Sequence, residues 1–115
     1  MRMERYSLVL LVRPGSAPEY DEQRLEEIQR LHLEHLGEMR RLGHLAAAGP
    51  VSDQDDPALR GICLYRTGVA ETRELASGDP AVRAGRLAVK VMTWLVPEGQ
   101  VSFDQPAPQD DASAT

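Results

Sequence analysis

Cysteine and aromatic residues are scarce in this chain of 115 residues, which contains one cysteine, one tryptophan and one phenylalanine. A lone cysteine, Cys63, excludes a disulfide within the chain. Together with only three histidines it gives no ligand spacing of the structural-zinc kind. Because Cys63 lies in an apolar run, we interpret it as a buried small side chain rather than a reactive thiol. We therefore expect neither a metal nor a cofactor.

Long apolar runs and an excess of positive charge are also missing. The apolar run at residues 8–12 is far shorter than the ~20 residues that cross a bilayer, and no signal-peptide pattern is visible. The formal net charge is −5, whereas nucleic-acid-binding domains present a basic patch. These absences predict a cytoplasmic protein that binds neither membrane nor nucleic acid.

Four segments have the composition of β-strands, because apolar and β-branched residues dominate them and turn residues bound them. Three are strongly apolar, and the fourth is a short alanine-rich segment between Gly43 and Pro50. They are residues 6–12, 44–48, 59–65 and 87–96.

A long amphipathic helix is predicted for residues 22–42, with Asp21 as its cap and Gly43 as its stop. Its apolar positions recur at the three-and-four spacing of one helical face. At about 100° per residue, His32 falls near the centre of that stripe and His35 on its flank. A titratable residue in an apolar stripe is the most informative local pattern in the chain.

A second, shorter helix is predicted for residues 69–77, with Thr67 as its cap and Gly78 as its stop. Asp79 and Pro80 then open a further helical turn, since Asp is a favoured cap and Pro fits the first helical position.

The resulting order, β-α-β-β-α-β, is typical of an α+β, ferredoxin-like fold with a four-stranded antiparallel sheet and both helices on one face. We expect one domain at residues 1–103 and a disordered acidic, proline-rich tail at 104–115. The first and last strands are apolar on both sides, so the open sheet face predicts a homodimer, sheet against sheet.

Two segments, in order along this pattern, resemble the signatures of the YCII-related family. In the first, a histidine on a helix precedes a strand that closes on Gly-Pro; in the second, an Asp-Pro precedes a short turn and the final strand. The matching residues are His32-Leu33, Leu36, Leu42-Gly43, Leu45 and Ala48-Gly49-Pro50, then Ser77-Gly78-Asp79-Pro80 and Ala84-Gly85.

This resemblance implies a dimeric α+β barrel with a cleft that contains a histidine and an aspartate, here His32 and Asp79. One branch of the family eliminates chloride from a chlorinated hydroxyhydroquinone. The chain departs from the pattern in two places. Gln29 stands where an arginine often precedes the histidine, and Ala81 stands where an aromatic residue often follows Asp-Pro.

Three functions are open to such a chain, and a small-molecule ligand is common to them. The first is a cofactor-independent lyase or isomerase, with His32 as general acid/base and Asp79 as its orienting carboxylate. The second is a non-catalytic ligand-binding or accessory module, in which His32 is a hydrogen-bonded core residue and Asp79 only a cap. The third is a cofactor-free monooxygenase. As substrate-binding candidates we take His35, Tyr65 and Trp94.

Overall fold

The computed structural model describes residues 1–103, and the predicted disordered tail lies outside the described residues. Seven elements follow one another in the predicted order. They are β1 (Met3–Val12), α1 (Glu22–Arg41), β2 (Leu45–Pro50), β3 (Leu59–Tyr65), α2 (Val69–Ser77), α3 (Pro80–Arg83) and β4 (Ala88–Pro97).

The four strands form one sheet in the order β2-β3-β1-β4, and all neighbouring pairs are antiparallel. This topology confirms the predicted α+β, ferredoxin-like fold. The apolar strand β1 lies inside the sheet, paired on both sides, as expected for a strand with apolar residues on both faces.

Three strands extend beyond their predicted bounds, because a partner strand continues to pair with them; for β4 the extension is the single residue Pro97. β1 begins at Met3 rather than residue 6, since its first residues pair with the end of β4. β2 runs to Pro50, which pairs with Gly61 of β3. Proline is tolerated there because β2 is an edge strand of the sheet and need not donate on its free side.

The long helix α1 is capped as predicted. The Asp21 side chain accepts a hydrogen bond from the backbone N–H of Arg24 at 2.8 Å. Gly43 follows the helix with a φ of 83°, a conformation that glycine adopts without strain. Ile28 and Met39 on its apolar face are buried against the sheet.

The cap of α2 differs from the prediction. Gly68, not Thr67, is the N-cap residue, and no side chain caps this helix. The Thr67 hydroxyl instead forms a 2.6 Å hydrogen bond with the hydroxyl of Thr72, which is fully buried. For α3 the prediction is confirmed, because Asp79 caps the helix and Pro80 occupies its first turn.

The two faces of the sheet have different surroundings. Side chains of β1 alternate, so Val9 and Leu11 are buried in the core together with residues of the helices. Leu8 and Leu10 point to the opposite face, where Leu8 pairs with Met92 of β4. No helix among residues 1–103 is long and apolar enough to cross a membrane.

Candidate active site

His32 and Asp79 are joined by a hydrogen bond of 2.6 Å between the histidine Nδ1 and the aspartate Oδ2. They are 47 residues apart in sequence, and α1 meets the turn that opens α3 at this point. The Asp79 side chain is 3% exposed and that of His32 is 12% exposed. The pair is therefore sheltered from water, while the ring of His32 keeps some access to solvent.

Asp79 uses its two carboxylate oxygens for different purposes. Oδ1 accepts a hydrogen bond from the backbone N–H of Ala81 at 2.8 Å, which is the cap of α3. Oδ2 pairs with His32. The capping bond fixes the direction in which the carboxylate presents Oδ2, so the turn that starts α3 also orients the imidazole of α1.

A cavity of about 340 Å³ lies beside His32, between α1 and the ends of β1, β2 and β3. Its size is at the lower end of the roughly 300–1,000 Å³ found for small-molecule sites. Because Nδ1 is used by Asp79, Nε2 is the ring nitrogen left for a ligand. The lining includes apolar side chains on several sides, namely Leu11, Leu33, Leu36 and Leu87.

Glycine forms part of the wall of this cavity, where β2 approaches β3 closely. A Cβ on Gly61 would lie 3.1 Å from the backbone oxygen of Gly49, which is closer than an ordinary van der Waals contact. Gly61 therefore permits the close approach of the two strands, and Gly49 and Pro50 line the cavity at the position where the family signature ends.

Two arginines line the cavity, and the sequence did not identify them. Arg13 directly follows β1, and Arg60 lies in β3. Strict alternation would put Arg60 on the open sheet face with Ile62. However, Leu11 pairs with Gly61 and Val12 pairs with Leu59, so Arg60 has no pairing partner in β1. This β-bulge changes the direction of the side chain.

Burial raises the pKa of the Cys63 thiol, which also lines the cavity, to about 12, and the nearby charge of Asp79 adds to this. The thiol is therefore neutral near neutral pH and is not a thiolate nucleophile. This fits the sequence interpretation of Cys63 as a buried small side chain.

Tyr65 and Trp94, two of the predicted substrate-binding residues, do not line this cavity. Tyr65 is 1% exposed and belongs to the core, where burial, followed by the charges of Cys63 and Asp79, raises its pKa. Trp94 pairs with Tyr6 on the open sheet face and is 44% exposed, on the other side of the sheet from His32. Trp94 therefore lies away from His32, because its position in the alternation of β4 determines its face.

His35, the third predicted substrate-binding residue, lies one helical turn from His32 and also does not line the cavity. Its Nε2 is buried without a hydrogen-bond partner among residues 1–103. Burial lowers the pKa of His35 and the positive charge of His32 adds to this. The charge of Asp79 and an interaction with the backbone of Leu75 act in the opposite direction.

The lowered pKa of His35 predicts that the fold loses stability in mild acid. Below about pH 6.5 the unfolded chain binds a proton at this position while the folded chain does not, so the free energy of unfolding falls until the pH reaches the lowered pKa. Above that window the contribution is constant. We expect His35→Gln to remove this part of the pH dependence, measured as the difference in urea midpoint between pH 7.5 and pH 5. An unchanged difference in the variant would contradict the assignment.

The family model of the YCII-related domain matches residues 6–95. A search of curated protein sequences finds no significant match. Among solved structures, the chain is similar to 5-chloro-2-hydroxyhydroquinone dehydrochlorinase from Burkholderia phenoliruptrix AC1100, in complex with 2,5-dihydroxybenzoquinone. The TM-score is 0.51 and the identity 23%, over 78% of this chain and 92% of that chain. The two share the fold of the dimeric α+β barrel proteins, and by its family match this chain belongs to the YCII-related domain family.

Proposed function

We propose that this protein is a cofactor-independent lyase or isomerase that acts on a small cyclic or aromatic metabolite, with His32 as its general acid/base. One observation carries the proposal. The imidazole of His32 forms a 2.6 Å hydrogen bond with the buried carboxylate of Asp79 and also lines a cavity that is large enough for a small ligand. A carboxylate on Nδ1 fixes the tautomer in which Nε2 is unprotonated, and stabilises the imidazolium formed when Nε2 takes a proton.

The chemistry requires only proton movement at one ring nitrogen. Nε2 of His32 removes a proton from a substrate carbon next to a carbonyl or hydroxyl-bearing carbon, and the electron pair of that C–H bond forms a new double bond. In a lyase, the double bond displaces a leaving group as an anion, and His32 returns its proton to water. In an isomerase, His32 gives the same proton back at another carbon. Asp79 holds the ring at Nδ1 and acts as the orienting group.

The comparisons support the lyase branch of this proposal. A protein with the same fold is a dehydrochlorinase that acts on a chlorinated hydroxyhydroquinone, so the fold accommodates an elimination on a small ring compound. At 23% identity this likeness does not transfer a substrate. It selects the first compounds to test.

A non-catalytic ligand-binding module is the second candidate, and one observation favours it. The bond from Asp79 to the backbone N–H of Ala81 makes this residue a helix cap, which accounts for an aspartate before Pro80 without any catalysis. The two functions differ in whether substitution of His32 abolishes turnover or only alters binding. The cofactor-free monooxygenase, the third candidate, predicts oxygen uptake with an aromatic substrate.

The test of the catalytic pair uses His32→Asn and Asp79→Asn. Asparagine caps a helix about as well as aspartate, so Asp79→Asn keeps α3 and removes only the carboxylate from His32. We measure chloride release from 5-chloro-2-hydroxyhydroquinone, and deuterium incorporation into small cyclic ketones and phenols by NMR. We expect His32→Asn to lower turnover by roughly 10²–10⁴-fold, as for loss of a general acid/base, and Asp79→Asn to lower it less.

The control for this test is His44→Gln, which removes a histidine that neither lines the cavity nor contacts Asp79. It should keep the wild-type rate. Wild-type turnover in His32→Asn would reject the catalytic proposal, and ligand binding without turnover in any of the four proteins would favour the binding module. Oxygen uptake that depends on the same substrates would favour the monooxygenase.

We also propose that the protein is a homodimer, joined through the open sheet face. This face has an apolar row in which Met92 is 40% exposed, Trp94 44% and Ile62 36%. Leu8 pairs with Met92 and Leu10 with Ile62, so the row runs across three adjacent strands. A contiguous apolar surface of this kind marks an association site, and the fold is the one that dimeric α+β barrel proteins share.

The dimer is tested with Met92→Glu, because a two-fold interface would bury this charge twice. Light scattering after size-exclusion chromatography should give twice the chain mass of 12.7 kDa for the wild type and a shift towards the monomer for the variant. Met3→Glu is the matched control, since Met3 is an exposed methionine of β1 on the other face of the sheet. Equal masses for both variants would contradict an interface on this face.

A further inference from the structure

Three arginines are grouped at the end of the sheet where the cavity opens. Arg13 and Arg60 line the cavity beside His32. Arg86 lines a smaller neighbouring cavity of about 180 Å³, which shares Arg13, Gln29 and Leu87 with the first. Arg13 and Arg86 are neighbours, since Arg13 Nε donates a hydrogen bond to the Arg86 backbone oxygen, and Arg13 and Arg60 line the same cavity. Burial lowers the pKa of Arg13, and the charges of Arg86 and Arg60 lower it further.

No carboxylate of residues 1–103 forms an ion pair with any of these three arginines. Each guanidinium donates instead to a backbone carbonyl. Arg13 Nε donates to the oxygen of Arg86 at 3.2 Å, and Arg60 Nη1 to that of Pro57 at 3.2 Å. Arg86 Nη1 donates to the oxygen of Pro18 at 3.5 Å. Each guanidinium carries five N–H donors, so most of their donors have no acceptor among the residues that the structure describes.

Arg13 and Arg86 are partly buried and Arg60 is exposed. Like charges brought together in this way are unfavourable unless an anion offsets them. Elsewhere on the described chain arginines do have such partners, as in the pairs Arg24–Glu27 and Arg30–Glu34 on α1. The arginines that surround the cavity thus form no ion pair with a carboxylate of residues 1–103. This uncompensated charge lies next to the imidazole that we propose as the base.

We propose that Arg13 and Arg60 bind a negatively charged group of the ligand, so that the substrate is a small, flat organic acid. The inference rests on the proposed function in one respect, since it assumes that the ligand reaching His32 is the substrate. A carboxylate accepts two parallel hydrogen bonds from one guanidinium, which fixes the direction of the ring that carries it. That ring then lies between the leucines of the cavity wall, with one edge towards Nε2 of His32.

The bulge in β3 explains why the side chain of Arg60 lines the cavity. Without the register shift opposite Leu11 and Val12, its side chain would lie on the open sheet face, beneath the proposed dimer contact. Gln29, one turn before His32, also lines the cavity, and its neutral amide adds no charge to the site. The arginines of this chain's cavity therefore come from β3 and from the residue after β1, rather than from α1.

The test measures binding of benzoate and of its neutral analogue benzamide to the full-length chain, by ligand-observed NMR and calorimetry. Variants are Arg13→Gln, Arg60→Gln and, as matched control, Arg73→Gln, which is exposed on α2 and lines neither cavity. We expect benzoate to bind more tightly than benzamide. Arg13→Gln and Arg60→Gln should each weaken benzoate by roughly ten- to a hundredfold, the usual loss of a charged hydrogen bond, and leave benzamide unchanged.

Further measurements distinguish an organic acid from the other anions that could bind the arginines. If inorganic phosphate competes with benzoate more strongly than acetate does, the site binds phosphate esters, and the proposal that the substrate is an organic acid is overturned. The tail carries Asp104, Asp110 and Asp111. If benzoate binds only after all three are changed to Asn, the arginines are occupied by the tail and the proposal is wrong. Equal benzoate affinity in the wild type and in Arg13→Gln would also overturn it.

His32→Asn separates this inference from the proposed function. It should lower turnover by roughly 10²–10⁴-fold, as above, and leave benzoate affinity within about twofold of the wild type, because the arginines rather than the imidazole hold the anion. If the enzyme is active but benzoate binding does not depend on Arg13 or Arg60, the anion site is rejected and the catalytic role of His32 is kept. Arginine-dependent binding without turnover of any tested substrate would reject the catalytic role and keep the anion site.

Discussion

The hydrogen bond between His32 and Asp79 is the interaction on which the account of this protein depends. It joins the middle of the long helix to the turn that opens α3, two segments that are distant in sequence and that enclose one side of the cavity. A buried carboxylate is costly unless its oxygens are hydrogen-bonded, and Asp79 meets this condition at both oxygens. The same arrangement that makes its burial acceptable leaves the imidazole fixed at Nδ1 and available at Nε2.

The site is assembled from parts that each have a separate structural role. Asp79 caps α3, Gly61 lets β2 approach β3, and the bulge at Arg60 ends the regular pairing of β1 with β3. Together they leave a cavity with apolar walls, one oriented histidine and two arginines. In the proposed function these parts have different roles. The arginines would bind an anionic ring compound, and His32 would remove a proton from that compound.

Much of the fold could be predicted because it depends on local patterns. The three-and-four spacing of apolar residues predicts α1, and Asp21 and Gly43 predict where it begins and ends. The pairing of His32 with Asp79 was predicted from the resemblance to a family. Periodicity places His32 on a helical face but does not indicate a partner 47 residues away. Arg60 was missed because a bulge depends on how two strands pair. The position of Trp94 relative to the cavity could not be predicted, because composition does not show which sheet face borders the cavity.

The most direct measurement is the tautomer of His32 at pH 8, read from the nitrogen chemical shifts of the protein labelled with ¹⁵N in its histidine rings and assigned with His32→Asn. We expect a proton on Nδ1, hydrogen-bonded to Asp79, and an unprotonated Nε2 facing the cavity. In Asp79→Asn the carboxylate that holds this tautomer is gone, so the Nδ1 signal should change. A proton on Nε2 in the wild type, or shifts that do not respond to Asp79→Asn, would contradict it.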